Sequence, residues 1–490
     1  MKRLKIENGA ATNSILLMVV QIITTVLGLI VTKLLSVNFS LQEYGTYSQA
    51  LLITSTATSL SILGLTNATN YFYNRTENEN DKKRYVATIF SIQYIVGVIV
   101  AIGILMFRIQ ISDYFSNDKL QTFLIIVALT PIMTNLIAMY QTLFVSIGEA
   151  KKIAARNFVV SVIRLVAVII ACYVVNNIIL VLLSILLMDI VQVVYFALIF
   201  KKDKYSIRIT ETDFSLVKEV LVFSIPMAIY VLTNSLSRDI DKYVISAFAN
   251  TETLAIYSNA AKILPFDLLT ASLITVLIPI ITRFINQKKF EEAQTVFRLY
   301  LRMGYLLTCI FVGGAISLSK HVMLFLYDEK YLSGLSVFVV YLVIDMIRFA
   351  NVTTILSGAG KSKVLMKISV VTLALNSILN IAGYKIFGLI GPAMVTLILT
   401  VLMSLALLHF GAKEIKTNII DLFDLKEITL VGVEIVCMGY VVHIIAQFLS
   451  SHAVPSFFAL VISYGLYLVV LFGINYKRVV GCFRKLNTFK

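Results

Sequence analysis

Long runs of uncharged residues, separated by short polar connectors, constrain this chain more than any other feature. Tyr44–Asn74, Val86–Phe107, Leu120–Ile147, Ile386–Ala412 and Val454–Tyr476 each contain no Asp, Glu, Lys or Arg. At about 1.5 Å per residue, each is long enough to cross roughly 30 Å of hydrocarbon as a helix. None shows the alternation of an outer-membrane strand, so helices are expected. The chain is 59% hydrophobic and 14% charged, with a mean hydropathy of +0.89. A water-soluble fold has too little interior to hide that much apolar surface.

The pattern predicts an all-α polytopic membrane protein with about 14 spans, near 13–36, 41–73, 85–107, 119–147, 154–176, 178–200, 214–247, 254–282, 298–319, 331–357, 363–384, 386–412, 428–449 and 454–476. The first run follows Lys2, Arg3 and Lys5, but it is longer than a secretory h-region and no A-x-A site follows, so it reads as an uncleaved span. No connector is long enough to hold a soluble domain.

The net charge of +15 could suggest a nucleic-acid partner, but its distribution argues for a membrane. Of the 42 Lys and Arg residues, only Arg108, Lys119, Lys320, Lys330 and Lys385 fall in the odd-numbered connectors. The even-numbered connectors and both termini carry the excess. This positive-inside bias predicts a membrane protein with both termini in the cytoplasm and no nucleic-acid partner. Cys172, Cys309, Cys437 and Cys482 are far apart, as are His321, His409, His443 and His452. No metal-ligand spacing or disulfide framework emerges, and no cofactor is expected.

A faint internal repeat is visible. Glu43-Tyr44-Gly45-Thr46-Tyr47-Ser48-Gln49-Ala50 opens the second span, and Thr253-Leu254-Ala255-Ile256-Tyr257-Ser258-Asn259-Ala260 opens the eighth. Gly148 and Lys151, after the fourth span, match Gly360 and Lys363, after the tenth, at nearly the same offset. Six spans per half make a parallel repeat about an axis along the membrane normal. The expected organisation is an N-terminal lobe over 1–200, a linker over 201–213, a C-terminal lobe over 214–412, and two further helices with a tail over 413–490.

Two pseudo-symmetric six-helix lobes plus two helices resemble the multidrug/oligosaccharidyl-lipid/polysaccharide exporter superfamily. Arg238-Asp239-Ile240-Asp241-Lys242-Tyr243, with Ile256-Tyr257-Ser258-Asn259-Ala260-Ala261-Lys262, is similar to the seventh and eighth helices of its polysaccharide-transporter branch, which includes O-antigen, capsule and teichoic-acid flippases. The resemblance implies alternating-access movement of an undecaprenyl-linked saccharide to the outer leaflet. It also implies a bacterial cytoplasmic membrane location, membrane-lipid contacts, and glycan polymerase and glycosyltransferase partners. The alternative within the superfamily is a cation-coupled drug or metabolite exporter. The first span lacks Asp and Glu, and 14 spans exceed the twelve usual in drug exporters, which favours the flippase. A membrane-embedded polymerase or ligase would need a large outer loop with catalytic residues, and none is present; the chain is not expected to be an enzyme.

Charges inside hydrocarbon are costly and normally face a partner or a hydrated cavity. For an anionic lipid pyrophosphate headgroup the candidate cations are Arg164, Arg238, Lys262 and Arg348, with Lys33 near a helix end. For a coupling ion the candidates are Asp267, just after Pro265, and Asp189, Asp241 and Asp345. Spacing leaves a purely structural role open: Asp345/Arg348, Arg238/Asp241 and Asp239/Lys242 are each three apart on one helical face. Arg164 has no carboxylate on its own helix. Pro131, Pro226, Pro265, Pro279 and Pro392 are expected to kink or break helices.

Overall fold

The computed structural model describes residues 2–147, 149–202, 211–267, 280–350, 353, 355–356, 359–452 and 454–487, and no strand occurs among them. Thirteen of the described helices are long and apolar enough to cross a membrane. The remaining expected span, 254–282, coincides with an interruption at Pro265 and with residues 268–279, which lie outside the described set. The protein is a multi-pass membrane protein.

Contacts divide the chain into two units, Met1–Ala255 and Ile256–Lys490. The first holds α1 (Lys2–Asn38), α2 (Leu41–Ser61), α3 (Leu65–Arg75), α4 (Glu79–Met106), α5 (Arg108–Tyr114), α6 (Leu120–Val127), α7 (Thr130–Ser146), α8 (Ala150–Ile170), α9 (Ile178–Lys202) and α10 (Phe214–Phe248). Its core gathers Leu65, Phe72, Phe90, Tyr140, Phe144, Phe196 and Phe200. α10 packs here, against α2, α3 and α4. The sequence reading starts the second repeat with this helix, so the expected repeat boundary and the packing boundary lie one helix apart.

Several single spans are two helices. α2 and α3 are parted at Leu63 and Gly64, both at positive φ (45° and 68°). A Cβ at Gly64 would lie 2.6 Å from the carbonyl oxygen of Ser224 and 2.9 Å from Cβ of Met227. These residues flank Pro226, which lies inside α10 and cannot donate a backbone hydrogen bond. Two helix irregularities thus meet, and only glycine allows the approach. Buried Asn135 of α7 donates to the Thr58 carbonyl (3.1 Å) and to Ser61 Oγ (2.8 Å) at the same break. α6 and α7 part just before Pro131, as the sequence suggests.

The octapeptides of the faint repeat both open helices behind a capping side chain. Ser40 and Glu43 form a reciprocal capping box on α2. Asn250 accepts the Thr253 amide (2.8 Å) at the start of α11 (Thr251–Ala260). Gly360 takes a positive φ of 72°, whereas its expected counterpart Gly148 lies outside the described residues.

The second unit contains α12 (Phe290–Ser317), α13 (Ser319–Leu326), α14 (Leu335–Ile347), α15 (Ser362–Phe387), α16 (Ile390–Glu414), α17 (Leu425–Ser451) and α18 (Ser456–Asn487). α12 is central and packs on α14, α17 and α18. Gly314 sits against the rings of Tyr464 and Tyr467, and Gly391 of α16 against the Gly383 backbone of α15. Small residues that let backbones approach closely are the usual adhesive between helices in lipid, where hydrophobic burial supplies no net drive.

Candidate functional site

Among the described residues, most charged groups inside the spans fall into four clusters, two in each unit. In the first unit, α8 and α9 face each other through Arg156, Arg164, Asp189, Gln192 and Phe196. The spacing Asp189, Gln192, Phe196 is i, i+3, i+7, a single helical stripe. Arg156 donates to Gln192 Oε1, and its guanidinium lies over the Phe196 ring, 4.8 Å from the centroid. Gln192 in turn donates to Asp189 Oδ1 (3.1 Å). Asp189 lies within electrostatic range of both arginines, Arg164 first. Arg164 therefore has its carboxylate on the neighbouring helix. Arg156, near the cytoplasmic end of the expected span and not among the sequence candidates, lies inside α8 and is half-buried. Two cations here face one anion.

The second cluster is a polar seam between α2 and α10. Ser59 Oγ donates to Ser235 Oγ (2.7 Å), Thr56 Oγ1 and the Tyr243 hydroxyl share a bond (2.7 Å), and Ser55 Oγ donates to Asp239 Oδ2 (3.2 Å). Farther along, Gln49 Nε2 donates to Thr251 Oγ1 (3.4 Å), and Asn117 Nδ2 donates to Gln49 Oε1 (2.6 Å). Lys242 Nζ pairs with Asp239 at 2.7 Å, as the i, i+3 spacing allows. Asp241 is buried, and its carboxylate accepts the Lys242 amide (2.8 Å). Arg238 is exposed on the same helix. Interhelical bonds of this kind average about 0.6 kcal/mol each in membranes, so the seam holds through their number.

In the second unit, α11 ends at Ala260, and a 3₁₀ turn begins at Pro265. A residue preceding proline is steered away from helical geometry, which fits the interruption at Leu264. The Leu264 amide donates instead to Oδ2 of buried Asp345 (3.0 Å). Oδ1 of Asp345 lies 3.5 Å from Arg348 Nη1. Asp345 thus joins an interrupted helix to a cation on its own helical face. Lys262, at the break, is half-buried, as is Lys33 in α1. Asp267 lies in the 3₁₀ turn, and its side chain is outside the described residues.

The fourth cluster was not legible in the sequence, where Arg302 lies near the start of the span expected over 298–319. Arg302 Nη2 lies 2.5 Å from Oε1 of Glu427, a carboxylate only 8% exposed. The Tyr305 hydroxyl donates to the other oxygen. Arg478 reaches both Glu427 (3.7 Å) and Glu434 (3.2 Å), and Asn475 donates to Glu434 (2.8 Å). This network ties α17 and α18 to α12. Its partners come from three helices far apart in sequence, so no local spacing announced it.

Among the described residues, no group of three His, Cys, Asp or Glu side chains is placed to hold a metal ion. The helix content, the interrupted spans and the buried charges define a polytopic membrane protein. In the comparison with solved structures, the inward closed conformation of the lipid II flippase MurJ matches with a TM-score of 0.74, at 15% identity, covering 95% of this chain and all of that one. An inward-facing multidrug resistance MATE family transporter of the MOP superfamily matches with a TM-score of 0.66, at 13% identity, covering 82% of this chain and 98% of that one. A MOP superfamily transporter from Pyrococcus furiosus Vc1 matches at 0.62 and 14% identity, covering 83% and 95%. At these identities the likeness establishes the fold, which is that of the multidrug/oligosaccharidyl-lipid/polysaccharide exporters. Comparison with curated protein sequences finds no match. The family model described as "Polysaccharide biosynthesis protein" matches residues 30–336, and the chain belongs to that family.

Proposed function

We propose that the protein flips an undecaprenyl-(pyro)phosphate-linked oligosaccharide or teichoic-acid repeat unit from the cytoplasmic to the outer leaflet by alternating access. The observation that carries this reading is membership of a polysaccharide biosynthesis family in a chain whose fold matches a lipid II flippase over 95% of its length. A transporter serves such a pathway by moving its lipid-linked intermediate. The MATE match covers less of the chain, and the difference is about the size of α17 and α18 together. A drug-exporting role is therefore the second reading.

A headgroup carrying phosphate must meet fixed positive charge on its way through a low-dielectric region. Arg164, with Arg156 beside it, is the leading group for that contact, and Arg238, Lys262 and Lys33 are secondary. Arg348 is assigned with Asp345 to stabilising the interrupted helix. Among the carboxylates, Asp241 is the favoured place for a coupling ion, and Asp267 and Asp189 remain candidates. The protein works as a transporter without catalysis, in the bacterial cytoplasmic membrane with both termini inside. Glycosyltransferases supply its substrate and a glycan polymerase takes its product. The test is depletion in cells. Lipid-linked repeat units should accumulate on the inner leaflet; an unchanged leaflet distribution overturns the assignment.

A further inference from the structure

We infer that Arg156 and Arg164 form a two-step ladder for a lipid-borne phosphate along α8, with Asp189 as the resident counter-ion that the phosphate displaces. The inference rests on the flippase reading and gives it a site. The two arginines are eight residues apart on one helix, so they share a stripe and stand about 12 Å apart along the axis. Arg164 lies about 21 Å along α8 from its first residue, well inside the thickness of a bilayer's hydrocarbon.

On this pair, three guanidinium nitrogens are buried without a hydrogen-bond partner among the described residues: Nε and Nη2 of Arg156, and Nε of Arg164. Buried donors of this kind are rare and costly, and those of a cation more so. Gln192 and the Phe196 ring occupy other faces of Arg156. Asp189 is held by Gln192 and lies within electrostatic range of both cations. One carboxylate cannot neutralise two guanidinium groups, so the cluster keeps one net positive charge. A phosphate ester or diphosphate supplies both the missing acceptors and the missing negative charge, and arginine is the side chain best suited to grip it. The two arginines stand at successive depths along α8, about 12 Å apart along the axis. The ladder therefore hands the group from one arginine to the next, while Asp189 re-pairs with the one left vacant.

The ligand chemistry is phosphate on a lipid, and two sources share it: the isoprenyl carrier and ordinary phospholipid. The proposal commits to the carrier. The test uses the full-length protein in neutral detergent with farnesyl pyrophosphate as the probe, and phosphatidylglycerol as competitor. Arg156→Gln and Arg164→Gln should each weaken binding about tenfold, the scale of one charge-assisted contact. Asp189→Asn should tighten binding several-fold, because the competing anion is gone. Arg156→Lys and Arg164→Lys preserve charge and should recover part of the loss. Thermal unfolding of each variant separates loss of fold from loss of ligand. If the wild type binds the probe but Asp189→Asn weakens it, or the arginine variants do not change it, the ladder is wrong and the flippase reading stands. Equal competition by phosphatidylglycerol assigns the pair to bulk lipid and also overturns the ladder. If the wild type binds no isoprenyl pyrophosphate, the flippase reading falls, and the ladder with it.

Discussion

Asp345 and Leu264 are 81 residues apart in sequence, and the carboxylate of one accepts the backbone amide of the other at 3.0 Å. Helical geometry would have satisfied that amide within its own turn. Pro265 breaks the turn, and a buried side chain from α14 replaces the lost acceptor. Asp345→Ala removes this acceptor and the carboxylate nearest Arg348, and should destabilise the protein by about 2–3 kcal/mol or more. Asp345→Asn keeps a carbonyl oxygen for the amide and should lose clearly less. Thermal unfolding in detergent checks the ordering; equal, small losses for both variants would show that the amide does not depend on this contact.

Glu427 is the shared anion of Arg302, Tyr305 and Arg478, and connects α17 and α18 to α12. Removing one member of a fully buried ion pair costs about 3–5 kcal/mol. Arg302 and Arg478 keep partial access to their surroundings, at 32% and 25% exposure, so about 2–3 kcal/mol is expected for Glu427→Ala. The same variant should raise proteolytic cleavage of the connector between α16 and α17. Wild-type stability in Glu427→Ala would mean that the network contributes little.

Gly45 illustrates close packing in the first unit. A Cβ at this position would run into the backbone oxygen and side chain of Thr251. Gly45→Ala should therefore separate α2 from the start of α11 and cost about 1–3 kcal/mol. Gly28→Ala, where a Cβ would meet no atom within 4 Å, serves as the control and should be neutral or slightly stabilising. A reversed order would refute the close approach.

Asp213 caps α10, outside the span. Its carboxylate accepts from the Ser215 hydroxyl (2.6 Å) and the Ser215 amide (2.9 Å), and pairs with Arg84. These contacts, the Ser215 hydroxyl first, hold its pKa below the ordinary value of 3.8. A depressed folded-state pKa adds stability that is complete above the unfolded value, about 3.9, and is lost as pH falls through the folded value. Melting temperature in detergent should therefore decline below about pH 4, and Asp213→Asn should flatten part of that acid limb. An identical acid limb in the variant would remove Asp213 from the account.

Much of the fold was legible because a bilayer imposes a simple rule: every span must be apolar and satisfy its own backbone. The uncharged runs, and the interruptions at Pro131 and Pro265, followed from hydropathy and proline chemistry alone. The break at Leu63–Gly64 did not, because glycine tolerates a left-handed turn without demanding one. Pairs within one helix, Asp239 with Lys242 and Asp345 with Arg348, were visible as i, i+3 spacings. Arg302 with Glu427, and Arg164 with Asp189, join different helices, and no periodicity reports such a meeting. Arg156 was hidden by position: it lies near a span end, where basic residues normally set topology.

The central claim is movement of a saccharide-bearing carrier lipid across the bilayer. The most direct measurement reconstitutes the purified protein into vesicles with a labelled undecaprenyl-pyrophosphate oligosaccharide confined to one leaflet. The exposed fraction is then followed with a membrane-impermeant oxidant of the sugar. The account predicts rapid transfer between leaflets in protein-bearing vesicles, slowed by Arg164→Gln. Transfer no faster than in protein-free vesicles, with export of a cationic drug by the same preparation, would contradict it.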